Sequence, residues 1–160
     1  QGWDVELMFE PGRVIAGNSG VLLTEVVWVK PGVTNPYVIV DAAMNDLARP
    51  ALYDSYHEIV PLTRQAGDHL KKNQVCSDVV GPVCESSDYF CKNRMLPKVG
   101  EGDYLALLSA GAYGFVMASN YNVRPFPAEV LVKGSQAEVV RKRQSLKQLW
   151  GGENVPKWLK

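Results

Sequence analysis

At 160 residues, with 46% hydrophobic and 21% charged content, the chain is long enough for one packed core and too short for two large ones. Its 17 basic and 17 acidic side chains balance, which excludes a net field for nucleic acid or an anionic membrane surface, so any partner has to be recognised locally. The most apolar stretch, Tyr104 to Ala118, is broken by Ser109, Gly111 and Gly114 and falls short of the ~20 residues that cross a bilayer. A soluble, cytoplasmic protein is expected, since the N-terminus carries neither an export nor a transit pattern. Gln1 in first place predicts a processing site or a boundary before it. Three cysteines, an odd number, predict reduced thiols. With no CxxC pair, and with His57 and His69 outside ligand spacing, no structural metal is expected.

In chain order, the alternation in Val5 to Phe9 predicts a strand that runs into the turn Glu10-Pro11-Gly12-Arg13. A helix is expected from about Ile15, handing over to a strand at Glu25 to Val29 that Lys30-Pro31-Gly32 closes. Short apolar runs then recur: Tyr37 to Val40, Leu52 to Tyr56, Glu58 to Leu62, Gln74 to Val83, Asp103 to Leu108 and Glu129 to Val132. Gly, Pro or Asn/Asp separates them, the spacing of an all-β sandwich or barrel. Helices are expected at Ala112 to Ser119 and Ser145 to Trp150, and a late strand at Gln136 to Arg141. Gly151-Gly152 ends the last helix, and Glu153 to Lys160 reads as a surface tail that Trp158 anchors.

Several positions could carry chemistry. Cys84 stands where the apolar strand Val79 to Val83 opens into the polar string Glu85-Ser86-Ser87-Asp88, a common address for catalytic groups. On composition alone a free cysteine is more often a small buried apolar residue, and Cys76 and Cys91 keep that reading. A carboxylate neighbour such as Glu85 disfavours the thiolate, so Cys84 suits proton donation better than nucleophilic attack. Glu85 itself could hold an ammonium group, or simply be solvated. Glu10, the Gly12 N–H and Arg13 bring a carboxylate, a backbone donor and a guanidinium to one turn, which could equally be a surface turn with a loose ion pair. Arg49 precedes Pro50, which holds its backbone extended, with Tyr53 four residues on. Ser109 to Gly114 is rich in small residues around Tyr113, a pattern that suggests close backbone approach with the phenol reaching a polar group.

Four strings, taken in order, resemble the C-terminal portion of the diaminopimelate decarboxylase family, pyridoxal phosphate enzymes of the alanine-racemase-like fold. They are Phe9-Glu10-Pro11-Gly12-Arg13, the run Val40 to Tyr53 (VDAAMNDLARPALY), Gly81 to Asp88 (GPVCESSD), and Gly111 to Phe115 continuing through Ser119-Asn120-Tyr121-Asn122. Together they span most of the chain, from Phe9 to Asn122. The resemblance implies a mainly β fold, the C-terminal β-sandwich or barrel domain of a fold-type III decarboxylase with short helices. Residues 1–24 would be the last strand and helix of an N-terminal (β/α)8 barrel, and 25–160 the β-domain. The rest of the barrel, with its glycine-rich phosphate loop and Schiff-base lysine, would precede Gln1.

Residue by residue, the resemblance implies that Glu10 faces the pyridine nitrogen of pyridoxal 5'-phosphate. Gly12 and Tyr113 would bind its phosphate, with Tyr113 also bordering the substrate. Arg13 and Arg49, assisted by Tyr53, would bind the distal carboxylate of meso-diaminopimelate, a task suited to the guanidinium fork. From the other subunit of a homodimer, Cys84 would protonate the α-carbon after CO₂ leaves and Glu85 would hold the distal ammonium group, yielding L-lysine. The implied partners are the barrel domain, a second copy and a small-molecule substrate. Phe126 departs from the polar or basic residue expected in many relatives. Two other readings stay open: an ornithine, arginine or lysine decarboxylase of the same fold, and a non-catalytic β-domain that binds or dimerises.

Overall fold

In this computed structural model, residues 2–62 and 73–159 are described, and His69 lies outside them. Eight strands form among these residues: β1 (Leu22–Lys30), β2 (Tyr37–Val40), β3 (Ile59–Pro61), β4 (Gln74–Val80), β5 (Tyr89–Pro97), β6 (Tyr104–Leu107), β7 (Glu129–Lys133) and β8 (Gln136–Arg141). The first six make one sheet in the order β3-β6-β1-β2-β4-β5, while β7 and β8 form a separate hairpin. Every pair in the large sheet is antiparallel except β2 with β4. Its two edges approach each other: Arg94 of β5 donates to the carbonyl of His57, two residues before β3. The sheet therefore curls toward closure, the mainly β architecture expected from sequence.

Val26, Val40, Val79, Phe90 and Leu107 meet inside the curl, and Leu47 closes it from the loop after β2. Burying each is worth roughly 1.5–3 kcal/mol relative to exposure, which selects the register that turns these positions inward. A register shift between Val26 and Trp28 interrupts the alternation of β1 and leaves Val27 and Trp28 both exposed. The β7–β8 hairpin turns through Gly134 at φ +60°. Both its faces are exposed, including Val130, Leu131, Val132, Val139 and Val140.

Six local expectations need correction. Val5 to Phe9 pairs with no strand among the described residues and stays outside regular structure, because an isolated strand has no ladder to satisfy its backbone. The helix after it is only four residues, α1 (Arg13–Ala16), and β1 begins at Leu22. Leu52 to Tyr56 is not a strand, and Arg49 is helical rather than extended: Pro50 at the first turn supports α2 (Arg49–Tyr53), which Asp54 ends in the left-handed region at φ 50°. Ala112 to Ser119 forms only a 3₁₀ turn at Phe115–Met117, because Tyr113 at φ 57° breaks helical continuity. Trp158 anchors nothing, being 81% exposed. Strand β5 escaped the sequence reading because its buried positions, Phe90, Cys91 and Leu96, are spaced by the charged pair Lys92 and Arg94. The C-terminal helix α3 (Leu146–Leu149) forms as expected, with a capping box between Ser145 and Gln148.

Candidate active site

The residues singled out by sequence fall into two groups. The first gathers around Arg49. Its guanidinium carbon lies 5.3 Å from the ring centroid of Tyr53 and 5.4 Å from that of Tyr113, and Nη2 donates to Ser55 Oγ at 3.2 Å. Arg13 and Arg49 line one cavity of about 650 Å³ together with Ser55, His57 and Ser109. Two glycines bring the halves of this group together. A methyl group on Gly111 would stand 2.2 Å from the Ala16 carbonyl oxygen, and one on Gly20 would stand 2.7 Å from Gly111 Cα. That close approach lets Gly111 N–H bond the Gly17 carbonyl at 3.0 Å and Ala110 N–H bond that of Gly20 at 2.9 Å. The turn after β6 is thereby stapled to the segment after α1. Gly12 faces the same turn, its missing methyl position lying 3.8 Å from the Tyr113 hydroxyl. Glu10 is exposed two residues earlier and makes no side-chain hydrogen bond among the described residues.

The second group is the loop between β4 and β5. Cys84 is exposed at its tip. Glu85 accepts from the Tyr121 hydroxyl at 3.2 Å and from Ser87 N–H at 3.3 Å. Those bonds, the Ser87 backbone first and the Tyr121 hydroxyl second, hold its carboxyl below the usual glutamate range. It is a carboxylate at neutral pH. No hydrogen bond links this loop to the Arg49 group among the described residues.

Asp88, which the sequence reading left without a role, organises this loop. It is 4% exposed and accepts from Met44 N–H at 2.7 Å and Val83 N–H at 2.8 Å. Gly81 is opposite: a methyl group there would lie 2.3 Å from Asp88 Oδ2, so only glycine leaves room for the carboxylate. Burial pushes the Asp88 carboxyl up, more than its two N–H donors pull it down. The brace ties the Cys84 loop to the segment after β2, where Asn45 donates to the carbonyls of Ser119 and Tyr121. Arg124 completes this tie through the Asp41 carbonyl at 2.6 Å and Asp46 at 3.8 Å. Phe126 stacks its ring on Phe115 at 5.7 Å. Nothing in the spacing announces the tie from Asp88 to Met44 or from Asn45 to Ser119, because those partners are 44 and 74 residues away.

The family described as "Pyridoxal-dependent decarboxylase, C-terminal sheet domain" has a sequence model that matches residues 14–111. Among curated proteins, the diaminopimelate decarboxylase of Zymomonas mobilis is 48% identical over 99% of this chain and 36% of its own length. That of Vibrio cholerae is 51% identical over 95% of this chain and 35% of its own. A solved diaminopimelate decarboxylase from M. jannaschii, in complex with L-lysine, superposes with a TM-score of 0.86 at 38% identity, covering 94% of this chain and 33% of that one. The chain spans about a third of the length of the relatives it matches. With its curled sheet, its loop constellation and this match in hand, the chain belongs to the C-terminal sheet domain family of pyridoxal-dependent decarboxylases.

Proposed function

We propose that this chain is the C-terminal part of a cytoplasmic decarboxylase that converts meso-diaminopimelate to L-lysine and CO₂. Residues 1–24 would complete an upstream barrel that carries the cofactor-attaching lysine, and two copies would share each active site. The observation that carries the reading is the meeting of Arg13 and Arg49 on one cavity wall, with Arg49 held against Tyr53 and Tyr113. Two guanidinium forks suit a second carboxylate on the substrate, which ornithine, arginine and lysine lack.

The donors present fit the phosphate end of pyridoxal phosphate: the methyl position of Gly12 lies 3.8 Å from the Tyr113 hydroxyl, so a backbone N–H and a phenol stand in one neighbourhood. When bound, the cofactor supplies an electron sink for the charge left by loss of CO₂. Glu10 would face its pyridine nitrogen. Arg13 and Arg49 would bind the distal carboxylate with Tyr53 beside them, which fixes the far end of the substrate. Glu85, ionised by its hydrogen bonds, would take the distal ammonium group. Cys84, exposed at the tip of a braced loop, would reach the partner subunit's site and deliver its Sγ proton to the α-carbon.

The test uses the full-length dimer. Cys84→Ala should lower the rate of CO₂ and lysine release by about 10²-fold or more, and an undiminished rate ends the proton-donor assignment. Competition between diaminopimelate and ornithine examines the two arginines, and a preference for ornithine removes the role given to Arg13 and Arg49.

A further inference from the structure

Tyr121 received no role from the sequence, yet its hydroxyl donates to Glu85 Oε2 at 3.2 Å. The backbone that carries it is built rather than free. Asn45, 2% exposed, donates one amide group to both the Tyr121 carbonyl at 2.6 Å and the Ser119 carbonyl at 3.1 Å. Asn120 closes the following turn through the Arg124 carbonyl and Gln144 Oε1, each at 2.7 Å. Asn122 and Val123 occupy the left-handed region at φ 55° and 60°, a costly conformation for a β-branched residue that surrounding contacts have to enforce. The loop of Glu85 is fixed by Asp88, which accepts from Met44 N–H beside Asn45 and from Val83 N–H within the loop. Two rigid supports therefore meet at a single phenol–carboxylate hydrogen bond.

We propose that Tyr121 is a positioning residue: its phenol fixes the Glu85 carboxylate in the orientation that receives a substrate ammonium group, and so sets the preference for a diamino over a monoamino diacid. The inference rests on the reading of Glu85 under Proposed function. With Ser87 N–H on Oε1 and the Tyr121 hydroxyl on Oε2, each oxygen is held by one donor and keeps acceptor capacity for a cation. The hydrogen bond to the Glu85 carboxylate, and then that carboxylate's charge, raise Tyr121 above the usual tyrosine range, so the phenol keeps its proton and remains the donor. Because Tyr121 and Glu85 lie in the same chain, the pair enters whichever subunit's site the Cys84 loop enters.

The experiment compares meso-diaminopimelate with 2-aminopimelate, which keeps both carboxylates and lacks the distal ammonium, on the full-length dimer. Glu85→Gln should abolish the preference for diaminopimelate. Tyr121→Phe should reduce that preference about tenfold, the scale of one hydrogen bond to a charged group, through KM for diaminopimelate and with far less change for 2-aminopimelate. If Glu85→Gln abolishes the preference and Tyr121→Phe leaves it intact, the positioning role is overturned while the reading of Glu85 stands. Equal losses on both substrates in Tyr121→Phe mark a merely structural tyrosine and also overturn it. A Glu85→Gln enzyme that keeps its preference removes the reading of Glu85, and this inference with it.

Discussion

The Cys84 loop and the Arg49 group are held in place by different physics. One buried carboxylate, Asp88, holds the first by accepting two backbone N–H groups in a space that Gly81 leaves open. The second has no such keystone: cationic stacking on two exposed rings, one hydroxyl bond and a glycine-to-glycine approach share the task. The difference teaches that a site can combine a part that is rigid by itself with a part whose side chains are aimed but incompletely covered. The roles proposed for them, proton donor and substrate clamp, have those separate needs.

Asp88→Ala should separate the two groups most sharply. It strands two buried N–H donors, at a cost of about 3 kcal/mol in urea unfolding, and should leave the Arg49 group's ligand affinity nearly unchanged. Gly111→Ala should act the other way. Its methyl group collides with the Ala16 carbonyl, costing about 2 kcal/mol as overpacking and loosening the Arg13 side of the cavity, which titration of the full-length enzyme with a dicarboxylate would reveal. Equal effects of the two variants on both groups would erase the distinction.

Asp88→Asn sharpens it through pH. Burial raises the Asp88 carboxyl above its unfolded value, so its contribution to stability is fully present below the ordinary aspartate range and is lost as pH climbs through the raised value. Glu85 has the opposite sign. Hydrogen bonds lower it, so its contribution is present above the ordinary glutamate value and fades as pH falls through the lowered one. In unfolding curves taken between about pH 3 and 6, Asp88→Asn should make stability rise more steeply with pH than in the parent, and Glu85→Gln should shift the slope the other way, toward stability that falls as pH climbs. Arg49→Lys should produce the smallest change in stability, about 0.5–1 kcal/mol from the lost stacking. Its larger signature should be weaker binding of dicarboxylates.

Where the sequence was readable, the cause was local. The alternation in Gln136 to Arg141 and the run Tyr37 to Val40 became strands with those bounds, and Ser145 capped the helix that follows it. Leu52 to Tyr56 misled because an apolar run of that length suits a helix as well as a strand, and Pro50 decided for the helix. In the candidate site, the strings around Arg49, Cys84 and Tyr113 were visible as strings. What brought Arg49, Tyr53 and Tyr113 together was not, since Gly20 and Gly111 meet only after β1 and β6 have paired. Asp88 reaches Met44, and Asn45 and Tyr121 meet their partners, far along the chain, and no local pattern encodes such contacts.

The parallel pairing of β2 with β4 has a consequence for the order of assembly. Strands β4 and β5 are neighbours in sequence and can zip as a hairpin early, carrying Cys84 at their turn. The ladder between β2 and β4 joins strands that have β3 between them in the chain, so it bears the larger loop-closure entropy. Asp88 bonds Met44 across that late seam. The Cys84 loop would therefore exist as a turn before it is braced, and a late step of folding would set the proposed proton donor in place.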